Sequence, residues 1–308
     1  NATLPVFLVI VLGWFLMQKK MFNENFVDII NKFVFKVSLP VLLFNDIATT
    51  PIRDAFDPKF VIFCMVGTTI MFMGIWALTS IFMKVKSMVG AFTQASARGS
   101  AAVLGIAFVQ NIYGNSGMTP LMIVSAVPLY NIYSVIILTF CANNQDHSDK
   151  AATIKRAFKN ILTNPIILGI AAGVPFSLLN IELPPLVLKT VTNVAQTATP
   201  MALLAVGAGF EGRKAIKKLK PTMIATFIKL VALPAIYFPF AIAMGFRESA
   251  LVAILIMVGS PTTVTCYIMA KNMGNDGVLS SSIIVMATLL SSVTLTFWIF
   301  LLKSMGLI

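Results

Sequence analysis

Arg98-Gly99-Ser100-Ala101 and Val258-Gly259-Ser260-Pro261 lie near the middle of two apolar segments, residues 88–110 and 248–270, each long enough to cross a bilayer. A plain spanning helix has no use for such residues at mid-membrane. Proline removes a backbone donor and crowds the preceding turn, glycine loosens the backbone, and serine directly before proline reads as an N-cap with proline at the first helical position. Both segments are therefore expected to break. Backbone groups freed by a break in lipid must face protein or a water-filled cavity, and a restarting half-helix directs the positive end of its dipole into that space. Two such breaks specify a solute site.

Composition agrees with a membrane setting. The 308 residues are 58% hydrophobic and only 11% charged, outside the range of an ordinary soluble domain, so the chain reads as an integral membrane protein in a lipid bilayer. A net charge of +12 would suggest nucleic acid in a soluble protein. Here Lys and Arg fall between apolar runs, where they set topology, and no nucleic-acid partner is expected. Cys64, Cys141 and Cys266 sit inside apolar runs without ligand spacing and read as packing residues. The only histidine, His147, lies in a polar stretch, so no catalytic constellation, metal site or cofactor is expected.

In chain order, ten spans are expected, at about 3–17, 26–48, 60–83, 88–110, 118–142, 161–179, 183–210, 221–244, 248–270 and 278–302. The first run is followed, not preceded, by Lys19-Lys20, which argues against a secretory signal; the start at Asn1 without methionine suggests a trimmed N-terminus. Residues 143–159 form the most polar stretch and the natural midpoint, giving a first half at 1–142, a linker at 143–159 and a second half at 160–308.

The halves match each other. An ungapped shift of 160 residues pairs Pro5 with Pro165, Gly13 with Gly173, Pro40 with Pro200, Arg53 with Arg213, Gly99-Ser100 with Gly259-Ser260, Gly114-Asn115 with Gly274-Asn275, and Gly117 with Gly277. Chance from composition would supply about half of one glycine pair over that overlap. A duplication is the simpler account, and an odd number of spans per copy makes the repeats inverted. Charge tests the topology separately. With Asn1 outside, fourteen Lys and Arg, among them Lys19, Lys20, Lys84, Lys86 and the Arg213–Lys220 cluster, fall inside, against Arg53, Lys59, Arg247 and Lys303 outside. Both termini are expected on the extracellular or periplasmic face of the plasma (inner) membrane.

Ser38-Leu39-Pro40-Val41-Leu42-Leu43-Phe44, Gln94-Ala95-Ser96-Ala97-Arg98-Gly99, Asn164-Pro165-Ile166-Ile167-Leu168-Gly169, Ala198-Thr199-Pro200-Met201-Ala202-Leu203-Leu204 and Gly259-Ser260-Pro261 together resemble the auxin efflux carrier family, which includes bacterial malate permease-like members. The resemblance covers essentially the whole chain. It implies an all-α fold of ten helices in two inverted five-helix repeats, similar to bile acid symporters, with helices 4 and 9 crossing at their breaks. Helices 1, 2, 6 and 7 would form a scaffold, through which a homodimer would assemble, and helices 3–5 and 8–10 a moving transport domain.

Each candidate site residue has a functional and a plain reading. Arg98, the one charge deep in the fourth span, is suited to grip a carboxylate bidentately or to satisfy carbonyls at the break. Ser100, Ser260 and Thr262 would cap half-helices and donate to substrate, with Gly99, Gly259 and Pro261 shaping the backbone around it. Asn131 and Ser291, matched by the repeat, are candidates for a coupling-ion or substrate-adjacent site, or are helix-packing polar residues. Lys36, Lys189 and Lys229 are expected to snorkel to an interface. The acidic residues, Asp28, Asp46, Glu182, Glu211 and Glu248, stand at span ends or in loops, which disfavours a carboxylate-driven proton pump. The reading is a secondary or facilitative carrier of small organic anions, mono- or dicarboxylates such as malate, or auxin-like aromatic carboxylates, by an elevator-type mechanism. Alternatives are a sodium-coupled symporter of the bile acid type and a membrane sensor on the same fold.

Overall fold

Lipid offers a backbone no partner but itself, so apolar runs must close their own hydrogen bonds as helices. The computed structural model of the protein describes residues 3–49, 57–142, 150–179 and 181–308. Apart from one isolated bridge, its regular elements are all helical.

The first helix, α1 (Thr3–Gln18), turns at Lys19 and Lys20 into α2 (Glu24–Phe33), whose Asn23 cap accepts from the Phe26 N–H at 2.8 Å. A π-helical turn, Val34–Ser38, then leads into α3 (Leu39–Ala48). The cause is local: Pro40 has no N–H to give and its ring crowds the preceding turn, and the Leu39 N–H reaches back to Val34 O. Asp57 caps α4 (Pro58–Phe82) by accepting from Lys59 and Phe60. Next come α5 (Val89–Ala97), α6 (Ala101–Tyr113) and α7 (Thr119–Phe140).

The second half runs through α8 (Lys150–Leu162), α9 (Pro165–Leu179), α10 (Pro185–Gln196), α11 (Ala198–Ala208), the short α12 (Gly212–Lys217) and α13 (Leu219–Phe227). Another π turn, Ile228–Ala232, again precedes a Leu-Pro pair at the start of α14 (Leu233–Ala243). Then come α15 (Glu248–Gly259), α16 (Thr265–Asn272) and α17 (Gly277–Ser304).

Among the described residues, four continuous helical stretches are long and apolar enough to cross a membrane: Pro58–Phe82, Thr119–Phe140, Leu219–Ala243 and Gly277–Ser304. The other expected spans consist of shorter helices, several laid end to end around a proline or a break. Burial is inverted relative to a protein in water. Leu8, Ile62, Ile70, Val293 and Phe300 point outward, while Ser38, Thr68, Gln94, Ser96, Ser280 and Ser281 are buried; apolar exposure on this scale needs lipid around it.

Helix α1 packs along α11, and α3 along α9. At the first contact a Cβ on Gly207 would collide with the Ile10 carbonyl, so only glycine allows the two backbones to close. One apolar core gathers Phe60, Phe72, Ile254 and Trp298, and a second gathers Leu39, Ala202, Ile268 and Ile283. The polar crossing described next lies where α5, α15 and the second π turn meet.

Candidate functional site

Both expected breaks are present. Helix α5 ends at Ala97, Arg98 and Gly99 run extended, and α6 restarts after Ser100; α15 ends at Gly259, Ser260 is extended and Thr262 lies in a bridge, and α16 restarts at Thr265 after Val264, whose backbone is already helical. The two extended pieces cross as an antiparallel bridge between Gly99 and Thr262, and the Ser100 N–H donates to Pro261 O at 2.9 Å. Backbone groups released by one break are thus partly satisfied by the other. Gly99 is obligatory here, because a Cβ would strike the Ser260 hydroxyl and lie 2.9 Å from Lys229 Nζ.

The second break departs from the simple cap expected of Ser260-Pro261. Ser260 is the C-cap of α15, in extended conformation at φ −69° and ψ 155°, and the N-cap of α16 is Val264. The physical reason is the crossing itself: pairing Thr262 with Gly99 requires extended chain on both sides of Thr262, which postpones the restart beyond Pro261.

A cavity opens on one side of the crossing. Arg98, Gly99 and Ser100 line it together with Pro261, Thr262 and Thr263, and its far wall comes from α3 and α11, including Asp46 and Thr199. Ala101 and Leu104 of α6, and Thr265 of α16, also face it, so the first turns of two half-helices border the same space. Thr263 and Thr265 share a hydrogen bond between their hydroxyls at 2.8 Å.

Arg98 is 5% exposed. Its Nη2 donates to Asn131 Oδ1 at 2.7 Å and its Nη1 to Met269 Sδ at 2.9 Å. Asn131 in turn donates to Val127 O at 2.9 Å, which fixes the orientation of its amide. None of the ion pairs found among the described residues includes Arg98; those pairs are Lys214–Glu211, Lys218–Asp276 and Lys271–Asp28. An anchored guanidinium without a carboxylate, at the rim of a cavity bordered by helix N-termini, is an arrangement that favours an anion.

The remaining candidates separate by where they point. Ser100 and Pro261 line the cavity. Thr262 also lines it, but its hydroxyl donates to Ala95 O at 2.7 Å. Gly259 is buried beneath Pro234. The Ser260 hydroxyl is fully buried and makes no hydrogen bond. Ser291 returns its hydroxyl to Thr288 O of its own helix at 2.8 Å, whereas Thr288 faces the cavity.

One residue is corrected from its sequence reading. Lys229 does not snorkel: its side chain is completely buried, and Nζ donates to Ala97 O at 3.0 Å and Met257 O at 3.3 Å. Lys36 and Lys189 are exposed, as snorkelling requires. Asp46 stands near the end of its span, two residues before α3 closes, and there also lines the cavity. The signal available for Lys229 was the one that singled out Arg98, a lone cation deep in an apolar span, here just ahead of Pro234.

The structure thus places a polar crossing and a cavity inside an apolar exterior. The sequence matches the family described as "Membrane transport protein" over residues 1–299. The chain belongs to that family, the auxin efflux carriers. It is also similar to a Rhizobium meliloti (strain 1021) protein described as "Putative malonate transporter", 24% identical over 312 residues that cover 99% of this chain and 96% of that protein. Both descriptions are of membrane transporters and neither is of an enzyme.

Proposed function

We propose that the protein is a secondary carrier of small dicarboxylates, with malonate-sized anions as the first class to test. The observation that carries this reading is Arg98, held by Asn131 and Met269 at the rim of a cavity that the N-terminal turns of α6 and α16 border. Each helix end favours an anion by about 0.3 to 1 kcal/mol, and a guanidinium adds a charge-assisted pair. Substrate would lie between Ser100 and the 261–265 segment, with one carboxylate on Arg98.

The carrier reading extends to architecture. Residues 1–142 and 160–308 are two inverted five-helix repeats joined by 143–159; the ungapped glycine matches support this, as do the left-handed conformations of both Gly114 (φ 74°) and Gly274 (φ 70°). The packing of α1 on α11 and α3 on α9 supports a scaffold of segments 1, 2, 6 and 7. Alternating access is an elevator-type displacement of segments 3–5 and 8–10 against it, with both termini outside.

A thermal-shift series on purified protein tests the substrate class, because a ligand that binds only the native state raises its stability. Malonate and malate are expected to raise the melting temperature saturably, and the corresponding diamides to leave it unchanged. Equal shifts from acids and amides would remove the anion reading.

A further inference from the structure

Lys229 is a charge that the substrate cavity does not use, since it is absent from the cavity wall. It lies in the π turn ahead of α14 and is completely buried. Its acceptors are Ala97 O, the last residue of α5, and Met257 O, in the last turn of α15. Each of those helix ends carries roughly half a negative charge, so a single ammonium neutralises the pair. The Ser260 hydroxyl, buried and unbonded, completes the surroundings: a Cβ on Gly99 would touch both that oxygen and Lys229 Nζ. Tyr130 also donates to Met257 O, at 2.8 Å. Neutral carbonyl and hydroxyl oxygens converging at two half-helix C-termini are the donor set that carriers with broken helices offer to a hard monovalent cation.

We infer that the Lys229 ammonium is a tethered substitute for a coupling cation, occupying an alkali-metal site built by Ala97 O and Met257 O, with the unbonded Ser260 Oγ beside it. Protein of this design needs no sodium to hold the crossing together. Removing the side chain vacates the site and makes the crossing dependent on a free cation. In its consequence for transport the inference rests on the carrier reading above; in its consequence for stability it does not.

The test compares full-length wild type, Lys229→Ala and Lys229→Met in sodium chloride and in choline chloride, first without any carboxylate. Wild type is expected to melt at one temperature in both salts. Lys229→Ala is expected to melt lower in choline and to recover saturably with sodium, while Lys229→Met, whose side chain fills the space, gains nothing. With malonate added, Lys229→Ala is expected to bind about tenfold or more tightly in sodium than in choline. Sodium dependence in wild type would overturn the inference, as would a Lys229→Ala protein that sodium stabilises no more than Lys229→Met, or one that fails to fold in every salt. Sodium recovery of Lys229→Ala together with no malonate binding by wild type would leave this inference standing and remove the dicarboxylate reading instead.

Discussion

Arg98 and Asp46 face one cavity with opposite charge, and an anionic ligand must feel both. Loss of a charge-assisted hydrogen bond costs about 1.5 to 3 kcal/mol, so Arg98→Ala is expected to weaken malonate binding about ten- to hundredfold by titration calorimetry. Arg98→Lys should recover part of this, because a point charge cannot hold both Asn131 and a carboxylate as the guanidinium fork does. An ionised Asp46 repels the same ligand. Asp46→Asn should bind at least as tightly at neutral pH; a variant that binds more weakly would show that the Asp46 charge does not oppose the ligand. At this scale Arg98 was legible because a lone arginine at a broken span admits few readings. Lys229 was misread because a buried lysine and a snorkelling one are identical in an apolar stretch, and only the distant carbonyls of Ala97 and Met257 tell them apart.

Between elements, the crossing has no tolerance for added volume. Gly99→Ala puts a methyl group against the Ser260 hydroxyl and the Lys229 ammonium, an overpacking that typically costs about 1 to 3 kcal/mol. A lower melting temperature is expected even in saturating malonate, and an unchanged one would mean that the extended pieces can separate without cost. The existence of both breaks followed from local chemistry, the glycine and serine at 99–100 and the Gly-Ser-Pro at 259–261. Their extent did not. Where α16 restarts is decided by the pairing of Thr262 with Gly99, a contact between residues far apart in the chain to which no rule of helix capping refers. The π turns are the converse case, since each precedes a Leu-Pro pair whose effect on the hydrogen-bond ladder is local.

For the whole molecule, the orientation in the bilayer is a prediction of charge asymmetry. In a background lacking Cys64, Cys141 and Cys266, an impermeant maleimide applied to intact cells is expected to label Asn115→Cys and to spare Lys155→Cys. The reverse pattern would invert the topology. The helical, lipid-facing character of the chain was readable from composition alone, because 58% hydrophobic residues leave no other environment. The assembly of short helices into longer segments was less readable, because a π turn ahead of prolines such as Pro40 and Pro234 divides a segment in one place and Gly259-Ser260-Pro261 interrupts it in another. The crossing also constrains how the molecule is made. Thr262 and its acceptor Ala95 O are 167 residues apart, so a ribosome delivers the first break to the membrane long before its counterpart exists. Until then Arg98 and the open end of α5 lack Met269, Lys229 and the 261–262 backbone, and the nascent first half must be sheltered by the insertion machinery or by water. Biogenesis of this protein is therefore expected to have a late, concerted step, in which the last segments arrive and close a polar gap left open by the early ones.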